Sequence, residues 1–248
     1  MWGIIPAAGS GSRIKPLAFS KELLPVGSRL EDGIERPRAV GEYLLERMLI
    51  AGADKICFVV SPGKSDIMEY YGSRSGGARM FYAVQPSPVG LCDAIFQAVP
   101  LVHPDESVCI GLPDTIWFPE NGFCALHDEG LSFLLFPVAH PEYFDAVVLE
   151  DSGRVLEIQV KQQNATSRWI WGAFKMPGRI FRDLHALWLS RGERDEYLGT
   201  LVNEYIRLGG DVRAVRAGES YVDVGTLHGY REAIRLLERT VGVGAGRG

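Results

Sequence analysis

Residues 3–26 read GIIPAAGSGSRIKPLAFSKELLPV. The stretch opens on Ile4-Ile5, an apolar run suited to a buried strand, and then turns through Ala7, Ala8, Gly9, Ser10, Gly11 and Ser12. Arg13 and Lys21 follow. A glycine-rich turn after a strand lets several backbone N–H groups point at one spot, because glycine tolerates positive φ and blocks nothing. Such a nest suits phosphate. Arg13 adds a planar, permanently charged fork matched to phosphate oxygens, and Lys21 a mobile point charge. The plainer reading is a strand, a glycine turn and two solvated cations. Two other phosphate motifs fit the stretch less well. The dinucleotide pattern G-x-G-x-x-G would need glycine where Ile14 stands. Within the stretch no Gly-Lys-Ser/Thr closes a Walker A loop.

The longer pattern is more specific. Gly9-Ser10-Gly11-Ser12-Arg13, then Pro16, then Lys21-Glu22-Leu23-Leu24-Pro25-Val26 resembles the signature of sugar-1-phosphate nucleotidyltransferases. In that family the first strand leads into G-x-G-T-R, a proline and K-x-x-x-P-V. Ser12 keeps the hydroxyl of the usual threonine. The resemblance implies that Ala8, Gly9, Ser10, Gly11 and Ser12 cradle a nucleotide. It also implies that Arg13 and Lys21 act on its phosphates.

The 248-residue chain is 46% hydrophobic and 23% charged, as a chain with a proper core should be. Its net charge of −5 comes with no compensating basic block, which argues against nucleic acid as a partner. No apolar run approaches the ~18 residues that a membrane span needs. The first residues lack the charged and apolar regions of a secretory signal. Cys57, Cys92, Cys109 and Cys124 form no C-x-x-C pair, and the five histidines have no metal-ligand spacing. A reduced, cytoplasmic protein is expected.

Hydrophobic periodicity predicts a helix over 39–51, a strand over 55–60, a helix over 65–71 and a strand over 79–84. A helix over 91–99 and a strand over 107–112 follow. Residues 27–38, polar and glycine-containing, read as a surface loop. Strands alternating with helices imply right-handed crossovers and a largely parallel sheet. Beyond residue 131 strands follow one another over 131–139, 146–149, 154–160 and 170–176. The expected fold is therefore a Rossmann-like three-layer α/β arrangement, its mixed sheet mostly parallel, with a smaller sugar-side lobe. Helices over 180–189 and 196–208, a strand over 212–217 and a last helix over 225–238 complete it. Residues 1–240 are expected to form one domain, and the glycine-rich tail 241–248 to be disordered.

Three further segments carry the resemblance. Gln85-Pro86-Ser87-Pro88-Val89-Gly90-Leu91 resembles the family's base-reading loop, which implies that Gln85 and the Gly90 backbone bind the base. Leu112-Pro113-Asp114 ends a strand where the family places its first metal-binding aspartate, and Asp223-Val224-Gly225 resembles its closing motif. Mg²⁺ prefers oxygen ligands and takes one or two carboxylates plus substrate phosphates, so Asp114 and Asp223 are the metal candidates. Lys161 matches the lysine that holds the sugar phosphate, and Gly172 a glycine lining the sugar pocket. Val160 departs from the pattern, because relatives carry there a glutamate that accepts from sugar hydroxyls. Asp145-Ala146 departs too, near a usual Tyr-Gly.

The resemblance implies transfer of a nucleotidyl group from UTP or dTTP to a sugar 1-phosphate, such as glucose 1-phosphate, with release of pyrophosphate. A sugar-nucleotide sensor of the same fold and a dinucleotide-dependent oxidoreductase are the alternatives. The sequence leaves the base, the sugar and the oligomeric state open.

Overall fold

In the computed structural model residues 1–244 are described, with side chains through Arg239. Strand β1 (Trp2–Pro6) is buried almost throughout and runs into the glycine loop. The next segment corrects the sequence reading. Residues 27–38 belong to a hairpin of β2 (Pro25–Glu31) and β3 (Ile34–Ala39), not to an irregular loop. Its turn is Asp32-Gly33, with φ of 52° and 78°. Asp-Gly supplies the two positive φ values of a tight hairpin turn. Both strands are mostly exposed, so they lack the apolar alternation that marks a half-buried strand.

The next elements follow the expected order: α1 (Val40–Ile50), β4 (Lys55–Val60), α2 (Ser65–Tyr71), the short β5 (Arg74–Ser75), β6 (Ala78–Val84), α3 (Leu91–Phe96) and β7 (Ser107–Gly111). Helix α3 is shorter than predicted. Pro100 lacks an N–H and disfavours α geometry at Val99, so the segment continues as a 3₁₀ turn, Val99–Leu101.

The second half holds β8 (Thr115–Phe118), β9 (Leu131–Pro137), β10 (Asp145–Leu149), β11 (Val155–Val160) and β12 (Trp169–Pro177). After these come α4 (Gly178–Ser190), α5 (Leu198–Arg207), β13 (Val212–Val215), β14 (Ser220–Asp223) and α6 (Leu227–Gly244). β8 and β14 were not anticipated. They pair with each other, antiparallel, across about a hundred residues of chain. Helix α6 runs through residue 244, although Gly242 and Gly244 each disfavour helix by about 1 kcal/mol. Residues 245–248 of the glycine-rich tail lie outside the described residues.

The main sheet has the order β11-β10-β12-β7-β1-β4-β6-β5, with β9 joined to β12 and β13 to β9. Strands β7, β1, β4 and β6 are parallel. The pairings of β12 and of β10 with β11 are antiparallel, β13 lies parallel to β9, and β10 with β11 forms the smaller lobe. Alternation along β1 sends Ile4 to one face and Ile5 to the other. The Ile4 face packs on Phe96, Phe181, Trp188 and Leu201 of α3, α4 and α5. The Ile5 face packs on Leu44, Met48 and Ile67 of α1 and α2. The result is the three-layer α/β fold that the alternation of elements implied. Among the described residues no helix is long and apolar enough to cross a membrane.

Candidate active site

The chain runs outward from β1 through β4 to β6 and then returns to β7 on the other side of β1. Such a reversal opens a crevice beyond the carboxyl ends of the strands. The loops after β1 and β7 border it. In the first loop Gly11 has φ 64° and so needs to be glycine. Gly9 has no such φ. Ala8 is buried, while Gly9, Ser10, Ser12 and Arg13 are exposed. A cavity of about 610 Å³ lies beside this loop, lined by Ala8, Ser10, Gly11, Lys21 and Lys64 among others.

Lys21 starts a 3₁₀ turn whose preceding residue, Ser20, is held by Asp66 through its N–H (2.6 Å) and its hydroxyl (2.7 Å). From there the Lys21 ammonium reaches the Asp114 carboxylate. Burial alone would lower the Lys21 pKa, but the Asp114 and Glu22 charges outweigh it and raise the value. Burial likewise pushes Asp114 up, and Lys21 by charge and hydrogen bond brings it below the usual carboxylate range.

The unanticipated pair β8–β14 brings Asp223 to Asp114. Its register sets Asp223 opposite Thr115, and the Val224 N–H donates to the Asp114 carbonyl at 2.8 Å. The Gly225 N–H donates to Asp223 Oδ1 at 2.7 Å, and Arg13 Nη2 to Asp223 Oδ2 at 3.2 Å. Asp223 is nonetheless raised, first by burial and then by the Asp114 charge. A Cβ on Gly225 would stand 2.8 Å from Asp223 Oδ1, 3.1 Å from Arg13 Nη2 and 3.3 Å from Asp114 Oδ2. Two carboxylates and a guanidinium thus surround one small space that only glycine leaves open. Two hard oxygen donors there suit a divalent cation that completes its shell with phosphate oxygens and water. Among the described residues no group of three or more His, Cys, Asp or Glu is placed to hold a metal alone.

Gln85, at the end of β6, is 2% exposed. Its amide nitrogen donates to the Gly90 carbonyl at 3.1 Å and to Asp93 Oδ2 at 2.6 Å. The side chain therefore braces its own loop, and only its Oε1 is left for a base. Gly90 has φ 121°, and a Cβ there would stand 2.8 Å from the Glu196 backbone. Both the backbone conformation and the packing call for glycine at this position.

Across the two aspartates lies a second cavity of about 380 Å³, bordered by Arg13, Asp114, Asp145, Lys161, Trp171 and Tyr197 among others. Lys161 leaves β11 at φ 45° and sets its ammonium 4.4 Å from the centre of the Tyr197 ring. Gly172 does not itself border this cavity. It sits at an irregularity of β12, where a Cβ would stand 2.5 Å from the Tyr221 ring and 2.7 Å from Phe136. Glycine there seats Tyr221, and Tyr221 borders the cavity. Val160 packs on Gly199 of α5 and pairs directly with Asp145.

Sequence reasoning passed over Lys64, whose ammonium donates to the Ala7 carbonyl at 2.6 Å and to buried Glu22. Its signal was the triplet Gly63-Lys64-Ser65, the Gly-Lys-Ser that the opening stretch lacks. A Walker A loop also needs glycine five positions before Gly63, and Phe58 of β4 stands there. Asp145 was legible only as a departure from the family pattern, and Trp171 gave no signal of its own.

Comparison with known proteins identifies the family. The chain is 29% identical over 250 residues to the glucose-1-phosphate thymidylyltransferase of Neisseria meningitidis, covering 96% of this chain and 83% of that one. It is 26% identical over 246 residues to a UTP–glucose-1-phosphate uridylyltransferase of Haloferax volcanii, covering 96% and 97%. Among solved structures, a Bacillus anthracis protein described as a candidate glucose-1-phosphate thymidylyltransferase, in complex with sucrose, shares the fold. It superposes with a TM-score of 0.79 at 23% identity over 95% of both chains. The family model for nucleotidyl transferases matches residues 2–240, and with the glycine loop, the two facing aspartates and this span the chain belongs to the nucleotidyl transferase family.

Proposed function

We propose that this transferase moves a nucleotidyl group from UTP or dTTP to a sugar 1-phosphate, glucose 1-phosphate or a relative, with residues 1–240 as one catalytic domain. One observation carries the reading. Lys21 borders the glycine-loop cavity and reaches Asp114, which converges with Asp223 and Arg13 on the space beside Gly225 and with them borders the Lys161 cavity. A nucleoside triphosphate in the first and a sugar 1-phosphate in the second would meet there. A phosphate oxygen of the sugar phosphate attacks the α-phosphorus, and the bond from the α-phosphorus to the bridging oxygen breaks in line. Pyrophosphate leaves with that electron pair. The nucleophile is already an anion at neutral pH, so no general base is required.

Catalysis then consists of positioning and charge stabilisation. The backbone of residues 8–12 binds the triphosphate, Arg13 takes the charge that grows on pyrophosphate, and Lys21 neutralises the phosphoryl group. Lys161 holds the attacking phosphate. Asp114 and Asp223 would hold a divalent cation such as Mg²⁺, which would supply further charge neutralisation at the α-phosphate. Gln85 Oε1 accepts from the ring N–H of uracil or thymine. The four cysteines are all free, which supports work in the reducing cytoplasm, where sugar phosphates and nucleotides are found together. The test is a matrix of nucleoside triphosphates against sugar 1-phosphates, read by pyrophosphate release. Turnover confined to one of the pyrimidine nucleotides with a hexose 1-phosphate is expected. Absence of pyrophosphate from every pair would overturn the proposal.

A further inference from the structure

Asp145 opens β10 and borders the Lys161 cavity. Its Oδ1 is buried without a partner, and so is the indole N–H of Trp171, which borders the same cavity. The indole comes near enough to the carboxylate to counter part of the upward push that burial gives its pKa, as does the Lys161 charge. Even so, Oδ1 keeps no well-formed hydrogen-bond partner. Leaving a buried polar group unsatisfied is costly, and a native protein keeps one chiefly where something else completes it.

The strand pairing says what that something is. Asp145 stands directly opposite Val160 in the β10–β11 pair. Side chains so paired share a face and lie about 5 Å apart at Cβ. Val160 turns its methyls to α5 and offers no acceptor. The residue after it, Lys161, leaves the strand toward the same cavity. Asp145 is thus a charged acceptor on this wall, two strands from the aspartates at Gly225 and beside the cation proposed to hold the sugar phosphate.

We propose that Asp145 is a specificity-determining residue that accepts a hydrogen bond from a hydroxyl of the sugar ring, with Trp171 as the positioning residue that steadies its carboxylate. This deepens the proposed function and rests on it. The ligand class is a hexose 1-phosphate with a free ring hydroxyl in reach of β10.

The experiment uses the full chain and the variants Asp145→Leu and Asp145→Asn, assayed with glucose 1-phosphate and with its mono-deoxy analogues. Thermal melting of each variant is recorded alongside. Losing a hydrogen bond to a charged group corresponds to roughly ten- to a hundredfold in affinity. Asp145→Leu should therefore raise the KM for glucose 1-phosphate by about that factor. The KM for the nucleotide should stay as it is, and kcat should change little. The unmodified enzyme should discriminate against one deoxy analogue, and Asp145→Leu should lose that discrimination. Asp145→Asn, which keeps an acceptor oxygen, should fall between. The leucine variant should melt at the same or a higher temperature, because it removes a carboxylate whose charged form burial disfavours on balance. An unchanged sugar KM with a lowered melting temperature would make Asp145 a structural residue and overturn the inference while the proposed function stands. Absence of turnover by the unmodified enzyme with any sugar 1-phosphate would overturn both.

Discussion

The Lys64 ammonium stands 2.9 and 2.8 Å from the two carboxylate oxygens of Glu22, a side chain with no exposed surface. The same ammonium donates to the Ala7 carbonyl at 2.6 Å. One cation thus ties the glycine loop to the turn that carries Lys21. Burial pushes the Glu22 pKa up and the Lys64 pKa down, and each charge opposes the other's shift.

Lys64→Met strands the Glu22 carboxylate in the interior. Breaking such a pair from one side costs about 3–5 kcal/mol, whereas replacing both partners by apolar groups is often near neutral. Urea unfolding should show Lys64→Met strongly destabilised and Glu22→Leu/Lys64→Met close to the original. A single variant that loses less than about 1 kcal/mol would show the pair to be dispensable.

Asp114→Asn and Asp223→Asn should each lower kcat by about a hundredfold or more, since each removes several kcal/mol of charge stabilisation at one spot. Their effects on stability should differ. Asp114→Asn takes the partner from partly buried Lys21 and should lower the melting temperature. Asp223→Asn removes a carboxylate that burial and Asp114 both disfavour, and should leave melting unchanged or raise it. Near-normal rates in either variant at saturating Mg²⁺ would remove that residue from the reaction.

Pyrimidine nucleotides should be turned over more efficiently than purines. The Gln85 amide nitrogen is spent on Gly90 and Asp93, so an acceptor is what its side chain has to offer a base. Uracil and thymine present an N–H to it, the corresponding ring nitrogen of adenine is itself an acceptor, and guanine carries its N–H on a larger, two-ring base. A site with one acceptor rejects a base that leaves it unpaired. A higher kcat/KM for ATP or GTP than for both UTP and dTTP would show the loop to have another role.

Glu106 gathers hydrogen bonds from Lys55, the Trp2 indole (2.9 Å) and the His103 N–H (3.1 Å) near the amino ends of the parallel strands. The Lys55 hydrogen bond leads in lowering its pKa from 4.5 to about 2. A depressed carboxylate pKa contributes stability above the ordinary value, and that contribution is lost as pH falls through the folded one. Glu106→Gln should therefore cost about 1 kcal/mol at pH 7, with solvent screening taken into account. The difference from the original should shrink between pH 4.5 and about 2. Melting curves across that range check it, and a pH-independent difference would exclude the charge as the cause.

The local elements were legible because their signals are local. Ile4-Ile5, the apolar strand at Lys55–Val60 and the spacing of Val40, Leu44 and Met48 each imprint a period that the neighbouring residues complete. The glycine loop with Arg13 and Lys21 was legible for the same reason, since its cations stand within a dozen residues of the turn they serve. What tertiary structure decided has partners far apart in the chain. Asp223 meets Asp114 only through the register of β14 on β8, two four-residue strands too short to show a period of their own. The role of Gly172 depends on Tyr221 crossing above it, and that of Gly90 on the Glu196 backbone. Asp145 in sequence is one more acidic residue at a strand end. It becomes a candidate sugar ligand only where the pairing of β10 with β11 sets it opposite Val160 and the β12 strand brings Trp171 beside it. A residue's period is written in its neighbours, but the satisfaction of its polar atoms depends on which distant strand packs against it.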